Sequence, residues 1–169
     1  TYDVTGSYSG IIGIDALSLT GNEYSAKRYN SELGKKLGAA KIDNTAAGNV
    51  KAAAALTNYN IKQGAIITLS AHMPNFSMVK ENGNYDGKHS YSDYDFSGYS
   101  PNVVSGDVMN EILPGGKYSK VYNAYLDMIA DYADQVTGAV LFRPFHENTG
   151  SWFWWGAAYC DAATYKNVY

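Results

Sequence analysis

Cysteine occurs once, at Cys160, so no disulfide can close within the chain. That thiol reads as a buried structural one, with a partner outside the chain as the alternative. No apolar run is long enough for a transmembrane helix. Charge is sparse and nearly balanced: 13 Lys and Arg against 16 Asp and Glu give a net charge of −3. The basic residues are scattered, with no run longer than Lys35-Lys36, which excludes the clustered basic surface that phosphate backbones require. The chain opens on Thr1 with no signal peptide, so the natural start is expected upstream. Internal repeats and low-complexity linkers are also missing. What remains is a 169-residue globular composition, 46% apolar, with 16 Tyr, many in polar settings such as Tyr85, Tyr91, Tyr94 and Tyr99. Tyr in loops suits sugar handling, since a pyranose face stacks on an aromatic ring. A single Tyr is more simply an amphipathic surface filler.

Along the chain, strand-like and helix-like segments alternate. Residues 11–16 (IIGIDA), 65–70 (AIITLS) and 139–145 (AVLFRPF) are apolar runs that suit buried strands, and a fourth strand is possible near the N-terminus. Residues 25–37 have weak helical character closed by Gly34 and Gly38. The Ala-rich stretch 49–60 predicts a helix with Gly64 as its stop. Residues 118–135 predict the clearest helix, with Val121, Tyr125, Met128, Ile129 and Tyr132 on one face. A short helix is expected over 107–113, and a last one over 162–169 capped by Asp161. Between them lies a long polar loop, about residues 74–105, of the kind that is usually functional.

Alternation of this sort implies parallel β/α units, whose chemistry sits at the C-terminal ends of the strands. Each expected strand ends on a polar or ionisable group: Asp15, then His72, then His146 and Glu147. A complete eight-unit barrel needs about 250 residues. The fold expected is therefore α/β, a segment of a (β/α)8 TIM barrel carrying roughly strands two to four with their helices. Residues 1–169 would form one partial catalytic domain, with barrel units missing on both sides.

The strongest chemical signal is the run Arg143-Pro-Phe-His146-Glu147-Asn-Thr-Gly-Ser-Trp152-Phe-Trp-Trp155-Gly156, which holds all 3 Trp of the chain. A carboxyl beside an aromatic platform is placed to protonate a glycosidic oxygen, and apolar surroundings favour its protonated form. Three Trp and a Phe in consecutive positions cannot all point inward from a loop, so at least one is expected to face a cleft or partner. Other chemistries fit less well. His-Glu-x-x-His fails because position 150 is Gly, Gly-x-Ser-x-Gly is not completed around Ser151, and no phosphate-binding glycine loop follows a strand. His72, His146 and Glu147 match no metal-ligand spacing, and hydrolysis run by carboxyl groups needs no metal or organic cofactor.

The segment 143–156 closely resembles the acid/base signature of glycoside hydrolase family 26, best known for β-mannanases. Residues 64–75 (GAIITLSAHMPN) and 8–17 (YSGIIGIDAL) are similar to that family's preceding strands, with Ala71 a departure where many members carry Trp. The resemblance implies Glu147 as acid/base, with His72, Arg143, His146 and Trp152 binding substrate or ordering the site. Asp15 would orient other site residues, and His89 is left as a surface loop residue. The family is retaining, so a second carboxylate must act as nucleophile. Neither Asp107 nor Glu111 sits in a matching context, and the nucleophile is expected outside this chain.

The implied activity is endo-β-1,4-mannanase on plant β-mannan, galactomannan or glucomannan, by a secreted monomer with no nucleic-acid or membrane partner. A β-1,3-1,4-glucanase or β-1,3-xylanase of the same family is the nearest alternative, and a non-catalytic carbohydrate-binding protein a further one. The sequon Asn75-Phe76-Ser77 falls in the substrate loop and is expected to stay unmodified.

Overall fold

The computed structural model describes residues 2–34, 36, 39–82 and 85–169. The chain divides into two compact units, Thr1–Ser70 with Ile129–Arg143, and Ala71–Met128 with Pro144–Tyr169.

The first unit is built on a parallel sheet of β1 (Ile11–Asp15), β2 (Ile66–Ser70) and β5 (Val140–Arg143), in the order β1-β2-β5. Its register pairs Ile11 with Ile66, Ile67 with Val140, and Ser70 with both Asp15 and Arg143. Partners in register share a face, and faces alternate along each strand. Ile67 and Leu69 of the central strand point to a buried face. The opposite face carries Ile11, Ile66 and Leu141, which are 65%, 52% and 59% exposed. The strands are thus where the sequence predicts them, but they are not buried on both sides as expected. A parallel sheet ordinarily has both faces covered; within residues 1–169 the face of Ile11, Ile66 and Leu141 is open.

Residues Tyr2–Thr5 form a single helical turn, α1, where a fourth strand had been possible. Helix α2 (Ala26–Tyr29) begins at Ser25, whose Oγ accepts from the Arg28 N–H, and runs on into a wide turn over Asn30–Gly34. The expected end of this helix at Leu37 and Gly38 lies outside the described residues, as does Lys35 of the basic pair. Helix α3 (Ala46–Lys62) is capped by Thr45, and Gly64, with φ +89°, ends it in the left-handed conformation that Gly tolerates best. Ala26, Tyr29, Ile42 and Ala52 pack into a small core beside it. Thr57 of α3 and Tyr132 share a buried hydrogen bond of 2.7 Å.

The second unit contains what composition suggested was a plain polar loop. Instead, β3 (Lys80–Glu81) pairs antiparallel with β4 (Tyr94–Asp95), and Phe76, Tyr91 and Phe96 are buried. Asn75 holds the loop closed. Its Nδ2 donates to the carbonyls of Val103 and Ser105, and its own N–H donates to Ser100 Oγ. The sequon asparagine is therefore fully buried with its amide nitrogen committed, and a glycan has no room there. Helix α4 (Val108–Glu111) is shorter than expected. Helix α5 (Ser119–Gln135), which passes into the first unit at Ile129, buries all five of its expected apolar residues. Helix α6 (Ala162–Val168) is capped by Asp161, whose carboxylate accepts from the Thr164 N–H at 2.7 Å.

Candidate active site

Strand β5 ends at Arg143 because Pro144 has no N–H to extend the ladder, and Phe145 then turns the chain at φ +46°. Phe145 is buried within the second unit, edge-on to both Trp154 and Trp155. Its carbonyl accepts from the Tyr165 hydroxyl at 3.3 Å. This anchor presents His146 and Glu147 at the start of the aromatic loop.

His146 is buried, and its Nε2 lies 3.3 Å from Nε2 of half-buried His72. At that separation one ring donates and the other accepts, which fixes the two rings relative to each other. The rings meet edge-on, with Phe153 edge-on to both. Trp155 donates its indole N–H to the His146 carbonyl at 2.8 Å, and Trp154 donates to the Met73 carbonyl at 3.3 Å. The same Trp pair thus bonds to the backbone of His146 and of Met73, the residue after His72.

Glu147 sits at φ +57°, a conformation that costs a non-Gly residue about 1 kcal/mol or more and occurs mainly where structure imposes it. The turn is closed by the Gly150 N–H donating to the Glu147 carbonyl at 3.0 Å. Glu147 is exposed, not buried as an acid in an apolar pocket would be. The apolar residues beside it in sequence turn away from it. Phe153, Trp154 and Trp155 are buried, while Trp152 stays 55% exposed and donates its indole N–H to Glu147 Oε2 at 3.0 Å. Of the four aromatics, one faces outward.

In the first unit, Asp15, Ser70 and Arg143 form one row across the strand ends. Ser70 Oγ donates to Asp15 Oδ2 at 2.9 Å, and Asp15 Oδ1 accepts from the Leu17 N–H at 3.0 Å. Arg143 is exposed at the end of β5. Of the expected site residues in the second unit, the structure brings His72 to His146 and Glu147 to Trp152. Phe153, which packs on both histidines, was missed by sequence reasoning, although its place inside the aromatic run was the available signal. His89 is a loop residue as expected, with Nδ1 2.6 Å from Asp86 Oδ2. Cys160 is half-buried, not buried, and burial pushes its thiol upward in pKa. No group of His, Cys, Asp and Glu that could hold a metal occurs among the described residues.

A family model, Glycosyl hydrolase family 26, matches residues 29–169. The chain belongs to this family. The family 26 chain is 36% identical to a mannan endo-1,4-beta-mannosidase of Bifidobacterium adolescentis, across 99% of its own length and 14% of that protein's. It superposes on the catalytic domain of a Bacillus sp. JAMB-750 GH26 endo-beta-1,4-mannanase with a TM-score of 0.72 and 32% identity, covering 99% of itself and 36% of that structure. An endo-beta-1,4-mannanase of Cellulomonas fimi matches with a TM-score of 0.70 and 31% identity, 31% of it being covered. The family 26 chain therefore spans about a third of the solved structures it matches. With its parallel sheet, that places its fold as a segment of an α/β barrel. No helix among the described residues is long and apolar enough to cross a membrane.

Proposed function

We propose that this chain is the acid/base-bearing part of the catalytic domain of a retaining endo-β-1,4-mannanase acting on β-mannan, galactomannan or glucomannan. The observation that carries it is Glu147, held out to solvent on a strained turn and hydrogen-bonded by the exposed Trp152. The matched relatives with mannanase names support the substrate class. The Glu147 carboxyl gives its proton to the glycosidic oxygen as the bond from that oxygen to the anomeric carbon breaks. A carboxylate nucleophile contributed from outside these residues forms the new bond to that carbon. The Glu147 carboxylate then takes a proton from the water that displaces the nucleophile. His72 and His146 bind sugar hydroxyls near the cleavage point, Arg143 orders the site, and Trp152 offers a ring face to a pyranose. Barrel units on either side of residues 1–169 complete the domain, and the enzyme is secreted to reach its polymer.

The test is reducing-end release by the full-length protein on mannan and on mixed-linkage β-glucan, side by side, for the parent and for Glu147→Ala. Faster attack on mannan, with a loss of about a hundredfold or more in the variant, is expected. Full mannan activity in Glu147→Ala sinks the assignment of Glu147. Faster attack on the glucan moves the substrate to the β-1,3-1,4-glucans.

A further inference from the structure

A glutamate on an exposed turn has three rotatable side-chain bonds, and a general acid in the wrong rotamer cannot reach the scissile oxygen. Three features remove that freedom. The backbone of Glu147 is fixed at φ +57° by the 147–150 turn. Trp152 donates to Oε2 at 3.0 Å. The indole itself lies flat against Gly150, because a Cβ there would come within 3.0 Å of three atoms of its six-membered ring. Gly150 is not in the left-handed region, so it is the space taken by the indole, and not the backbone conformation, that opposes a side chain there.

We propose that Trp152 is a positioning residue for Glu147, set in place by Gly150, and not an aromatic platform alone. This rests on the assignment of Glu147 as acid/base. With Oε2 engaged by the indole N–H, Oε1 is the oxygen that carries the proton to the leaving group and recovers it from water. An oxygen accepting from an N–H keeps its lone pair occupied, and the proton resides on its neighbour. The N–H edge of the indole does this while more than half of the residue's surface remains open. Stacking on a sugar and holding the carboxyl are therefore compatible in one side chain.

Two variants separate the roles. Trp152→Phe keeps an aromatic face and removes the N–H. Gly150→Ala keeps the indole but pushes it off its seat. The readout, in the full-length protein, is kcat/KM on mannotetraose, whose alkoxide leaving group needs protonation, relative to kcat/KM on a dinitrophenyl β-mannobioside, whose leaving group does not. Both variants are expected to lower that ratio about tenfold, with the loss on mannotetraose falling in kcat more than in KM. A fold defect would lower both rates together and leave the ratio alone.

An unchanged ratio for Trp152→Phe, with any loss confined to KM, overturns the positioning role and leaves a platform. If Gly150→Ala fails to fold, Trp152→Phe decides alone. Glu147→Ala serves as the reference. If it keeps full activity on mannotetraose, the acid/base assignment fails. If it loses that activity while Trp152→Phe behaves as the parent, only the present inference falls.

Discussion

The two units invert what hydropathy suggests. The first has the apolar strands, yet one face of its sheet leaves Ile11, Ile66 and Leu141 more than half exposed. The second has the polar loop, yet it buries Phe76, Tyr91, Phe96, Phe145, Trp154 and Trp155. Apolar composition says which residues benefit from burial. Whether they achieve it depends on what the chain lays over them. A loop that brings its own aromatics and a committed Asn75 covers itself, whereas a parallel sheet depends on elements from both sides.

The comparison breaks most sharply at Trp154. It is edge-on to Phe76, Phe145 and Trp155, and its indole N–H donates to the Met73 carbonyl. Trp154→Ala is expected to cost about 3–5 kcal/mol by leaving a cavity and an unpaired carbonyl. Leu141→Ala, at a position of the sheet that is open in residues 1–169, should stay within about 0.5 kcal/mol in that same chain. Urea midpoints of the two variants check this, and equal losses would mean that the sheet face is covered in solution.

Asn75→Ala comes next, at about 2 kcal/mol, since it empties a fully buried position and removes the two amide hydrogen bonds that close the loop. Tyr132→Phe, in the first unit, removes only the hydroxyl that meets Thr57, and should cost about 1 kcal/mol in the same titration. The Tyr122 hydroxyl in the second unit is a different case: burial alone pushes its pKa up to about 12, so it remains neutral through the ordinary pH range.

These contrasts mark where the sequence was legible. The α5 face could be read because five apolar residues recur at helical spacing, and all five are buried. The three strands were placed to within two residues because Gly, Pro and polar residues bound them. Their exposure could not be read, since an apolar run carries no period that says which side is covered. The core of the 74–105 loop was invisible for a related reason. Phe76, Tyr91 and Phe96 are irregularly spaced, and they converge through the hydrogen bonds of Asn75 and the pairing of β3 with β4. The proposal of Glu147 and its neighbours as site residues rests on motif resemblance. The bond from Trp152 to Glu147 depends on a left-handed glutamate and a glycine seat, neither of which a residue pattern reveals.

The smallest expected effect lies in the turn that carries His89. The Asp86 carboxylate accepts from the His89 side chain, from the backbone N–H groups of His89 and Lys88, and from Ser92. The His89 side chain contributes most to holding this carboxyl well below the usual carboxylate range. A folded-state pKa below the unfolded one means that the ionised carboxylate stabilises the fold. That contribution is complete above about pH 4, where an unfolded Asp is ionised, and is lost as pH falls toward the folded pKa. The turn is solvent-exposed, so screening limits the effect to well under about 1 kcal/mol. Asp86→Asn should therefore lower Tm slightly at pH 7, and the gap from the parent should narrow as pH falls below about 4. A gap that persists unchanged into acid would mean that the turn is held by hydrogen bonds the amide can replace only in part, with no role for the charge.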